Sequence, residues 1–472
     1  MTATSNLADR LANFALSTDF DRLPAGVVAE AKRRLLDAFA CAAGAMAEPA
    51  PIIARKAARA VSSNAGAGLF GGGRSAPDWT AFANGVHIRY LDCNDTYLSL
   101  EPAHPSDNWA AIMAAGESVG ADGRAWITAA AIAYEVQCRL CDAASIRARG
   151  WDHVTYGSIS SALAASKLFG LNHEQTVHAL GIAGTTGTAL RLTRAGELSM
   201  WKGCAFAHAA RNGVFAATLA REGMTGPAPL FEGDMGFWQQ VSGPFSLAKL
   251  GGPEASDWML PKTSIKFVPA EYHSQSAIAV AFDLRRSIPD PSPSKIRSIQ
   301  IATFRTAMEI IGQDPEKWRP KTRETADHSL PYCTAVALID GAITADQFSE
   351  ARLNDPELLA LVARTTVVED PILSEGYPEG IPNRLTVTLD DGTVLRGEMA
   401  FPPGHDQNPL SNAQLLEKFQ GLTDEPLGRS RASEIWERLS NLETDRKPHE
   451  VIALMVAQGP SETRPDPPRD SR

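Results

Sequence analysis

The 472-residue sequence has few cysteines, no long apolar run and a shortage of basic residues, and each shortage excludes a class of protein. Six scattered cysteines exclude the dense disulfide framework of a small secreted domain and favour a reducing cytosol. No apolar run approaches the ~18 residues that a membrane helix needs. The 45 Lys and Arg residues against 55 Asp and Glu residues argue against nucleic acid as the main partner.

The beginning of the chain also lacks the pattern of a targeting signal. Residues 1–17 contain no basic leader followed by an apolar core, and they include Asp9, an acidic residue that mitochondrial presequences avoid. We therefore expect a soluble cytoplasmic protein with no membrane partner. At 44% apolar and 21% charged, the composition is that of an ordinary globular chain.

Apolar spacing divides the chain into a helical part and a mixed part. Ala-rich segments with apolar residues three and four apart predict helices at 27–47, 126–144, 158–171 and 202–223. Alternation then predicts a strand at 292–304 and a hairpin at 384–401 around Asp391-Gly392. The segments 329–344 and 354–370 between them have a more helical pattern.

These segments predict a mainly α fold with two domains. A large all-helical domain is formed by both chain ends, residues 1–262 with 403–457, and a smaller α+β domain, residues 263–402, is inserted in it. Residues 458–472 are polar and Pro-rich, a composition that predicts a disordered tail.

Two short patterns suggest a cofactor or a metal but have a plainer explanation. Gly66, Gly68 and Gly71 have the spacing of a dinucleotide fingerprint, yet the segment before them is helical and a loop follows, so we reject that cofactor. Cys138 and Cys141 lie within an apolar helical pattern without further ligands at metal-site spacing, so core packing is the better interpretation.

The segment from Tyr90 to Asn108 carries the clearest signal for chemistry. It contains four acidic residues, Asp92 among them, together with His104 and Thr96. Polar residues that terminate loops and cap helices account for the last three residues of this segment, but these roles do not account for His104. A histidine that titrates near neutrality and is oriented by a carboxylate is a common acid/base unit.

A second segment carries three cations, Arg191, Arg194 and Lys202, against the single acid Glu197. Such a stretch is usually a solvated loop, but beside a helix start in an acidic protein it favours carboxylate binding. Three further segments contain Lys266 and His273, Asp152-His153, and Tyr332. Taken singly, these residues are more often satisfied structural groups.

Together the segments resemble the MmgE/PrpD family. The matching motifs are IRYLDCNDTYLSLEPAHPSDN, GWDHV, the Arg191–Lys202 stretch, SIKFVPAEYHSQSA, RETADHSLPY and PPGHDQNPLS, and they lie in the family's order from about residue 30 to 440. The resemblance implies a helical domain with an inserted α+β domain, no metal, no organic cofactor and a homodimer. It also implies a lyase that removes water from 2-methylcitrate, a reaction of propionate catabolism.

The resemblance places active-site positions at Asp92, Thr96, His104, Lys202, Lys266, His273 and Tyr332, and the cationic stretch and Asp152-His153 add Arg191, Arg194 and His153 as candidate binding residues. His104 is the acid/base group oriented by Asp92, and His273 or Tyr332 is the opposite proton-transfer group. The remaining positions bind substrate or clamp its carboxylates, and they are Thr96, His153, Arg191, Arg194, Lys202 and Lys266. Of these, Lys202 is also counted with the catalytic residues.

Three functions remain open from the sequence. The runs Asp-x-Asn-Asp-Thr and Pro-Ala-Glu-Tyr-His-Ser-Gln are similar to the dehydratase branch, with 2-methylcitrate as substrate and citrate as a second one. The first alternative is decarboxylation of cis-aconitate or epimerisation of a related dicarboxylate. The second alternative is a non-catalytic protein that binds polycarboxylates.

Overall fold

Helices form most of the chain in the computed structural model, which describes residues 6–64 and 66–457. The mainly α fold is confirmed, and its four-stranded sheet lies in the later part of the chain. The predicted disorder of residues 458–472 lies outside the described residues. The boundaries near 262 and 403 stay a prediction.

The first part of the chain consists of nine helices and a minimal two-stranded ribbon. The helices are α1 Leu7–Ser17, α2 Ala25–Gly44, α3 Pro49–Arg59, α4 Pro77–Arg89, α5 Trp109–Ser118, α6 Gly123–Ala143, α7 Val154–Leu168, α8 His173–Thr186 and α9 Ala205–Arg221. The ribbon pairs β1 Ala67–Gly68 with β2 Arg74–Ser75. These bounds confirm the four predicted helices as α2, α6, α7 and α9.

Small side chains explain the close packing of these helices. α9 packs against α4, α7 and α8. A Cβ atom at Gly85 of α4 would lie only 2.9 Å from the Cβ atom of Ala207 in α9. A larger residue at either position would force the two helices apart.

The chain returns to this helical core near its end. α18 Asn412–Leu427 and α19 Arg429–Ser440 both pack on α2. Phe419 and Ile435 are buried in the same apolar cluster as Trp109 of α5. Both ends of the described chain therefore contribute to one core.

The later part has a second apolar core around a four-stranded sheet. The sheet order is β4 Thr365–Glu369, β3 Ile296–Thr303, β5 Asn383–Leu389 and β6 Val394–Met399, with only the β3–β4 pair parallel. The helices of this part are α10 Gln275–Arg285, α11 Arg305–Ala307, α12 Pro315–Trp318, α13 Arg323–Ala326, α14 Leu330–Asp340, α15 Glu350–Leu353, α16 Pro356–Val362 and α17 Pro371–Ser374.

The strand at 292–304 and the hairpin at 384–401 are confirmed, and Gly392 supplies the positive φ of 89° that its turn requires. The helical prediction for 354–370 is wrong over its second half. The chain is helical only in α16, and then the β-branched run of β4 pairs with β3.

Neither short pattern forms a cofactor site. Gly68 ends β1, Gly71 lies in the turn towards β2, and α4 starts only at Pro77, so no helix N-terminus lies at this turn. Cys138 and Cys141 are buried within α6, as the packing interpretation predicts. Among the described residues, no single helix is long and apolar enough to cross a membrane, although the pair α2 and α3, bent by 95°, passes on length and composition.

Candidate active site

A cavity of about 860 Å³, including its open mouth, lies between the two parts of the molecule. The cavity brings together nine of the ten predicted residues, namely Asp92, Thr96, His104, His153, Arg191, Arg194, Lys202, Lys266 and His273. Tyr332 does not line it.

A short backbone bridge brings the two parts together at the cavity. Thr96 and Ser264 exchange two backbone hydrogen bonds of 2.8 Å. The bridge fixes the loop after α4, which carries Asp92, against the segment that carries Lys266. The side-chain hydroxyl of Thr96 donates to the Ala103 carbonyl at 3.2 Å, one residue before His104.

Asp92 is the centre of a buried charge cluster. Its Oδ1 accepts hydrogen bonds from Arg89 and from Lys266 Nζ at 2.6 Å, and its Oδ2 accepts from Lys202 Nζ at 2.7 Å. Burial opposes ionisation, but these three cations hold the pKa of Asp92 well below its usual value. The carboxylate is therefore a fixed anion that positions the cations and is not a proton acceptor.

The backbone of Asp92 is strained, which marks the position as unusual. Its φ of 53° is the only positive φ among the described non-glycine residues. Left-handed backbone is costly for side chains other than glycine and concentrates at functional sites. Its carbonyl also accepts from Lys266 Nζ at 2.9 Å, so both the backbone and the side chain of Asp92 hold this lysine.

A lysine from α18 supports the cluster from behind. Lys418 Nζ donates to Asp37 Oδ1 at 2.5 Å, to the Cys93 carbonyl at 2.8 Å and to the Lys266 carbonyl at 2.7 Å. All three N–H groups of the ammonium are thereby used. Although burial opposes the charge, Asp37 raises the pKa of Lys418, which stays protonated.

His104 lines the cavity with one ring nitrogen already occupied. Its Nδ1 lies 2.7 Å from the Asp95 carbonyl oxygen. Because a carbonyl can only accept, Nδ1 carries the proton and Nε2 keeps its lone pair. The prediction that Asp92 orients this ring is wrong: the orienting group is the backbone carbonyl of Asp95. Burial, Arg89 and Lys266 hold the pKa of His104 well below 6.5, so the ring is neutral.

His153 and Arg194 form a second buried unit beside His104. The rings of His104 and His153 lie 5.8 Å apart. Arg194 Nε donates to Asp152 at 3.1 Å, and His153 Nδ1 lies 3.0 Å from Asp152 Oδ1. Burial and Arg194 lower the pKa of His153 to about 4. Arg194 is thus committed mainly to Asp152 rather than being a free carboxylate clamp.

His273 forms a carboxylate–histidine pair on the other side of the cavity. Its Nδ1 lies 2.7 Å from Glu271 Oε1, and its Nε2 lies 3.5 Å from the hydroxyl of Tyr377. Burial would raise the pKa of Glu271, but His273 and the more distant cations lower it to about 2. The ionised Glu271 thereby fixes the orientation of the His273 ring in the cavity.

The structure contradicts the prediction for Tyr332. Its hydroxyl donates to the Gln347 carbonyl at 2.7 Å, and its ring packs near Phe348. This residue lies in the first turn of α14, and its hydroxyl is held in the second apolar core. The geometry therefore assigns Tyr332 to packing and not to proton transfer.

His328 is a cavity residue that the sequence reasoning missed. Its Nδ1 lies 2.5 Å from Asp327 Oδ1 and its Nε2 lies 3.5 Å from Asp92 Oδ2. Burial and Lys202 lower its pKa to about 4. The usable signal was the Asp327-His328 dipeptide, which repeats the Asp152-His153 pattern. Other lining residues missed from the sequence include Arg89, Arg147, Glu271 and Lys317.

Asp92, Asp327 and His328 are close enough together to hold a metal ion. The oxygen atoms of Asp92 already accept from Lys202 and Lys266, and Lys202 Nζ also lies 3.5 Å from Asp327 Oδ1. A divalent cation would have to displace both ammonium groups. The donor set therefore fits an ion-pair cluster better than a metal centre.

The cavity wall is strongly cationic. Among the described lining residues, seven are Lys or Arg and four are Asp or Glu. Three of the cations, Arg147, Arg191 and Lys317, have no side-chain hydrogen bond or ion pair within the part of the chain that the structure describes. A wall with this surplus is suited to a ligand that carries several carboxylates.

Comparisons with known proteins agree with the motifs. A model of the MmgE/PrpD N-terminal domain matches residues 9–249, and a model of the MmgE/PrpD C-terminal domain matches residues 268–444. A 2-methylcitrate dehydratase of Cupriavidus necator is 33% identical over 369 residues, 73% of this chain and 74% of the relative. A mitochondrial 2-methylcitrate dehydratase of Yarrowia lipolytica is 33% identical over 362 residues, 72% of this chain and 68% of the relative.

A relative with a different name matches over more of the chain. A cis-aconitate decarboxylase-like protein of Aspergillus oryzae is 26% identical over 485 residues, which cover 97% of this chain and 98% of the relative. Both kinds of relative are named for a polycarboxylate, but one name states a dehydration and the other a decarboxylation.

Proposed function

This chain belongs to the MmgE/PrpD family, as its motifs predict, and on that premise we propose that it is a hydro-lyase that converts 2-methylcitrate to 2-methylaconitate. One observation carries the proposal beyond the relatives' names. The neutral His104, with its Nε2 lone pair unused, lines a cavity that has a surplus of cations. A base beside a polycarboxylate site is what an elimination next to a carboxylate needs.

The cations have two tasks in this reaction. They bind the carboxylates of the substrate, and they stabilise the negative charge that builds up when a proton leaves the adjacent carbon. Lys202 and Lys266 are already oriented by Asp92, so they need little reorganisation when the charge develops. Arg191 has no side-chain partner among the described residues and is available for binding.

His104 is the base in this proposal. Arg89 and Lys266 lower its pKa in the free protein, which keeps Nε2 unprotonated. A bound trianion offsets those two cations and strengthens the base at the moment when it is needed. The proton moves from the substrate carbon to His104 Nε2, and the electron pair of the C–H bond forms the new double bond.

His273 is the acid in this proposal. Paired with the ionised Glu271, it donates a proton to the departing hydroxyl, which leaves as water. The net reaction releases one water molecule, and the proton taken by His104 and the one given by His273 balance over a turnover. Thr96 and His153 complete the substrate pocket.

Product analysis tests the proposal directly. Proton NMR of the protein with 2-methylcitrate, citrate and cis-aconitate should show 2-methylaconitate forming from the first. The His104→Ala variant should lower kcat by at least ~100-fold with the fold intact. His208→Ala, which removes an exposed histidine of α9, is the matched control and should keep full activity.

The state of His104 can be measured without substrate. Because its pKa lies below 6.5 in the folded protein, the ring should remain neutral as the pH falls through 6.5 and should protonate only below that value. Nitrogen-15 NMR of the side chains, with the His104→Ala spectrum as reference, should show a neutral ring with the proton on Nδ1. A charged ring at pH 6.5 would remove His104 as the base.

A second function is favoured by one observation. The match to the decarboxylase-like relative spans nearly the whole chain, whereas the dehydratase matches span about three quarters. Itaconate appearing from cis-aconitate, with no product from 2-methylcitrate, would establish decarboxylation in place of dehydration. The cytoplasmic location and the homodimer stay predictions.

A further inference from the structure

Lys317 differs from the other lysines of the cavity. It lies in α12, lines the cavity and is only 3% exposed. Lys202 and Lys266 both donate to Asp92. The ammonium of Lys317 has no hydrogen bond and no carboxylate oxygen within 4.0 Å among the described residues. The ammonium is therefore buried without a direct ion-pair partner in the described part of the chain.

Four acidic groups act on Lys317, none of them within ion-pair distance among the described residues, and two of the four are committed elsewhere. Asp327 pairs with His328 at 2.5 Å, and Glu271 pairs with His273 at 2.7 Å. Burial therefore dominates and lowers the pKa of Lys317. A buried unpaired charge destabilises a fold, so its presence here indicates a partner that comes from outside the chain.

Lys317 and the two unpaired arginines come from different parts of the molecule. The charges that act on Lys317 are Asp327, Asp314, Glu271 and Glu316, all in the later part of the chain. The charges that act on Arg191 are Arg194, Asp152, Glu101 and Arg147, all in the first part. The cavity thus presents unpaired cations from two directions.

We propose that Lys317 binds one carboxylate of the substrate and makes the cavity selective for tricarboxylates over dicarboxylates. Arg147 and Arg191, which belong to the first part of the chain, bind the other carboxylates, so a ligand with three carboxylates connects the two parts of the molecule. This assignment rests on the proposed function for the class of ligand, but it concerns binding and not the bond that is broken. A dicarboxylate can use the arginine wall alone and gains less from Lys317.

Calorimetric titration with two inert probes tests the assignment. Tricarballylate carries three carboxylates, and glutarate is the same chain without the central one. The wild-type protein should bind tricarballylate more tightly than glutarate. The ratio of the two Kd values measures this preference, and Lys317→Met should reduce the preference at least ~10-fold. Lys317→Arg should restore part of it, and Lys321→Met, which removes an exposed lysine four residues away, should leave it unchanged.

The melting temperature gives an independent readout. Since Met replaces an unpaired buried ammonium with an apolar chain, Lys317→Met without ligand should melt at the wild-type temperature or above it. Its stabilisation by tricarballylate should be smaller than that of the wild type. A purely structural lysine would instead lower the melting temperature of the ligand-free protein, and that result would overturn the proposal.

The outcomes separate this inference from the proposed reaction. An unchanged Kd ratio in a variant of a working dehydratase would overturn the role of Lys317 alone. A collapsed ratio in a protein that converts none of the three substrates would support Lys317 and overturn the dehydratase. A wild-type protein that binds neither probe would refute the carboxylate site.

Discussion

The cavity has two cationic regions that differ in one respect, the presence of a counter-charge. The floor consists of Arg89, Lys202 and Lys266 around Asp92, where each cation donates to one carboxylate. The walls carry Arg147, Arg191 and Lys317, which have no partner among the described residues.

This difference indicates that lysines and arginines of the same cavity have two different functions. A cation that is already paired has a fixed position and gains little from binding a further carboxylate. It is therefore suited to stabilising negative charge that develops during a reaction. An unpaired cation gains most from an incoming carboxylate, so it is suited to binding. The floor should therefore govern stability and kcat, and the walls should govern KM.

Removing the counter-charge of the floor should have the largest effect. Asp92→Asn keeps a residue that tolerates left-handed backbone but removes the charged carboxylate to which the three buried cations of the floor donate, leaving the longer contacts of Arg89 with Asp107 and of Lys202 with Asp327. We expect a loss of about 3–5 kcal/mol in the free energy of unfolding, measured by urea denaturation. Asp390→Asn, which breaks an exposed pair with Lys295, should change it by less than about 0.5 kcal/mol. Equal effects of the two changes would contradict the distinction.

Removing a wall cation should have a smaller effect of a different kind. Arg191→Met should raise KM about 10-fold and leave kcat nearly unchanged, because a binding interaction equal in ground and transition states is lost. Steady-state kinetics with the turned-over substrate measures both constants. Arg149→Met, an exposed neighbour outside the cavity, is the control. A fall in kcat with an unchanged KM would place Arg191 with the floor.

A change outside both regions should have the smallest effect. Tyr332→Phe removes the hydrogen bond to the Gln347 carbonyl and should lower the free energy of unfolding by about 1 kcal/mol. Because the hydroxyl does not reach the cavity, kcat should be that of the wild type. A loss of kcat beyond tenfold, with little change in stability, would return Tyr332 to the catalytic residues.

Much of the fold could be predicted because the local periodicity of apolar residues specifies most of its helices and strands. The apolar spacing identified α2, α6, α7 and α9, and Asp391-Gly392 identified the β5–β6 hairpin. Strand β4 was missed because it directly follows the helical run of α16 and is specified by its pairing with β3, more than sixty residues earlier. The local sequence of β4 does not reveal a pairing strand so far away along the chain.

The sequence predicted which residues form the candidate site better than it predicted the contacts between them. Ordered motifs brought nine residues to the cavity, but the partner of His104 is a backbone carbonyl, which no residue type reveals. Tyr332 was misplaced because its motif also contains His328, the residue that lines the cavity. Lys317 carries no motif, and its distinction is the absence of a partner, a property of the folded molecule alone.

The position of Lys418 has a consequence for how the protein acquires its site during synthesis. Every residue that lines the cavity lies between Arg89 and His328, so all of them leave the ribosome well before α18 does. The carbonyls of Cys93 and Lys266 both accept from the ammonium of Lys418, which adds a further connection to the Thr96–Ser264 bridge. A chain stopped between His328 and Lys418 would contain the whole set of candidate catalytic groups and lack this second connection between their two segments.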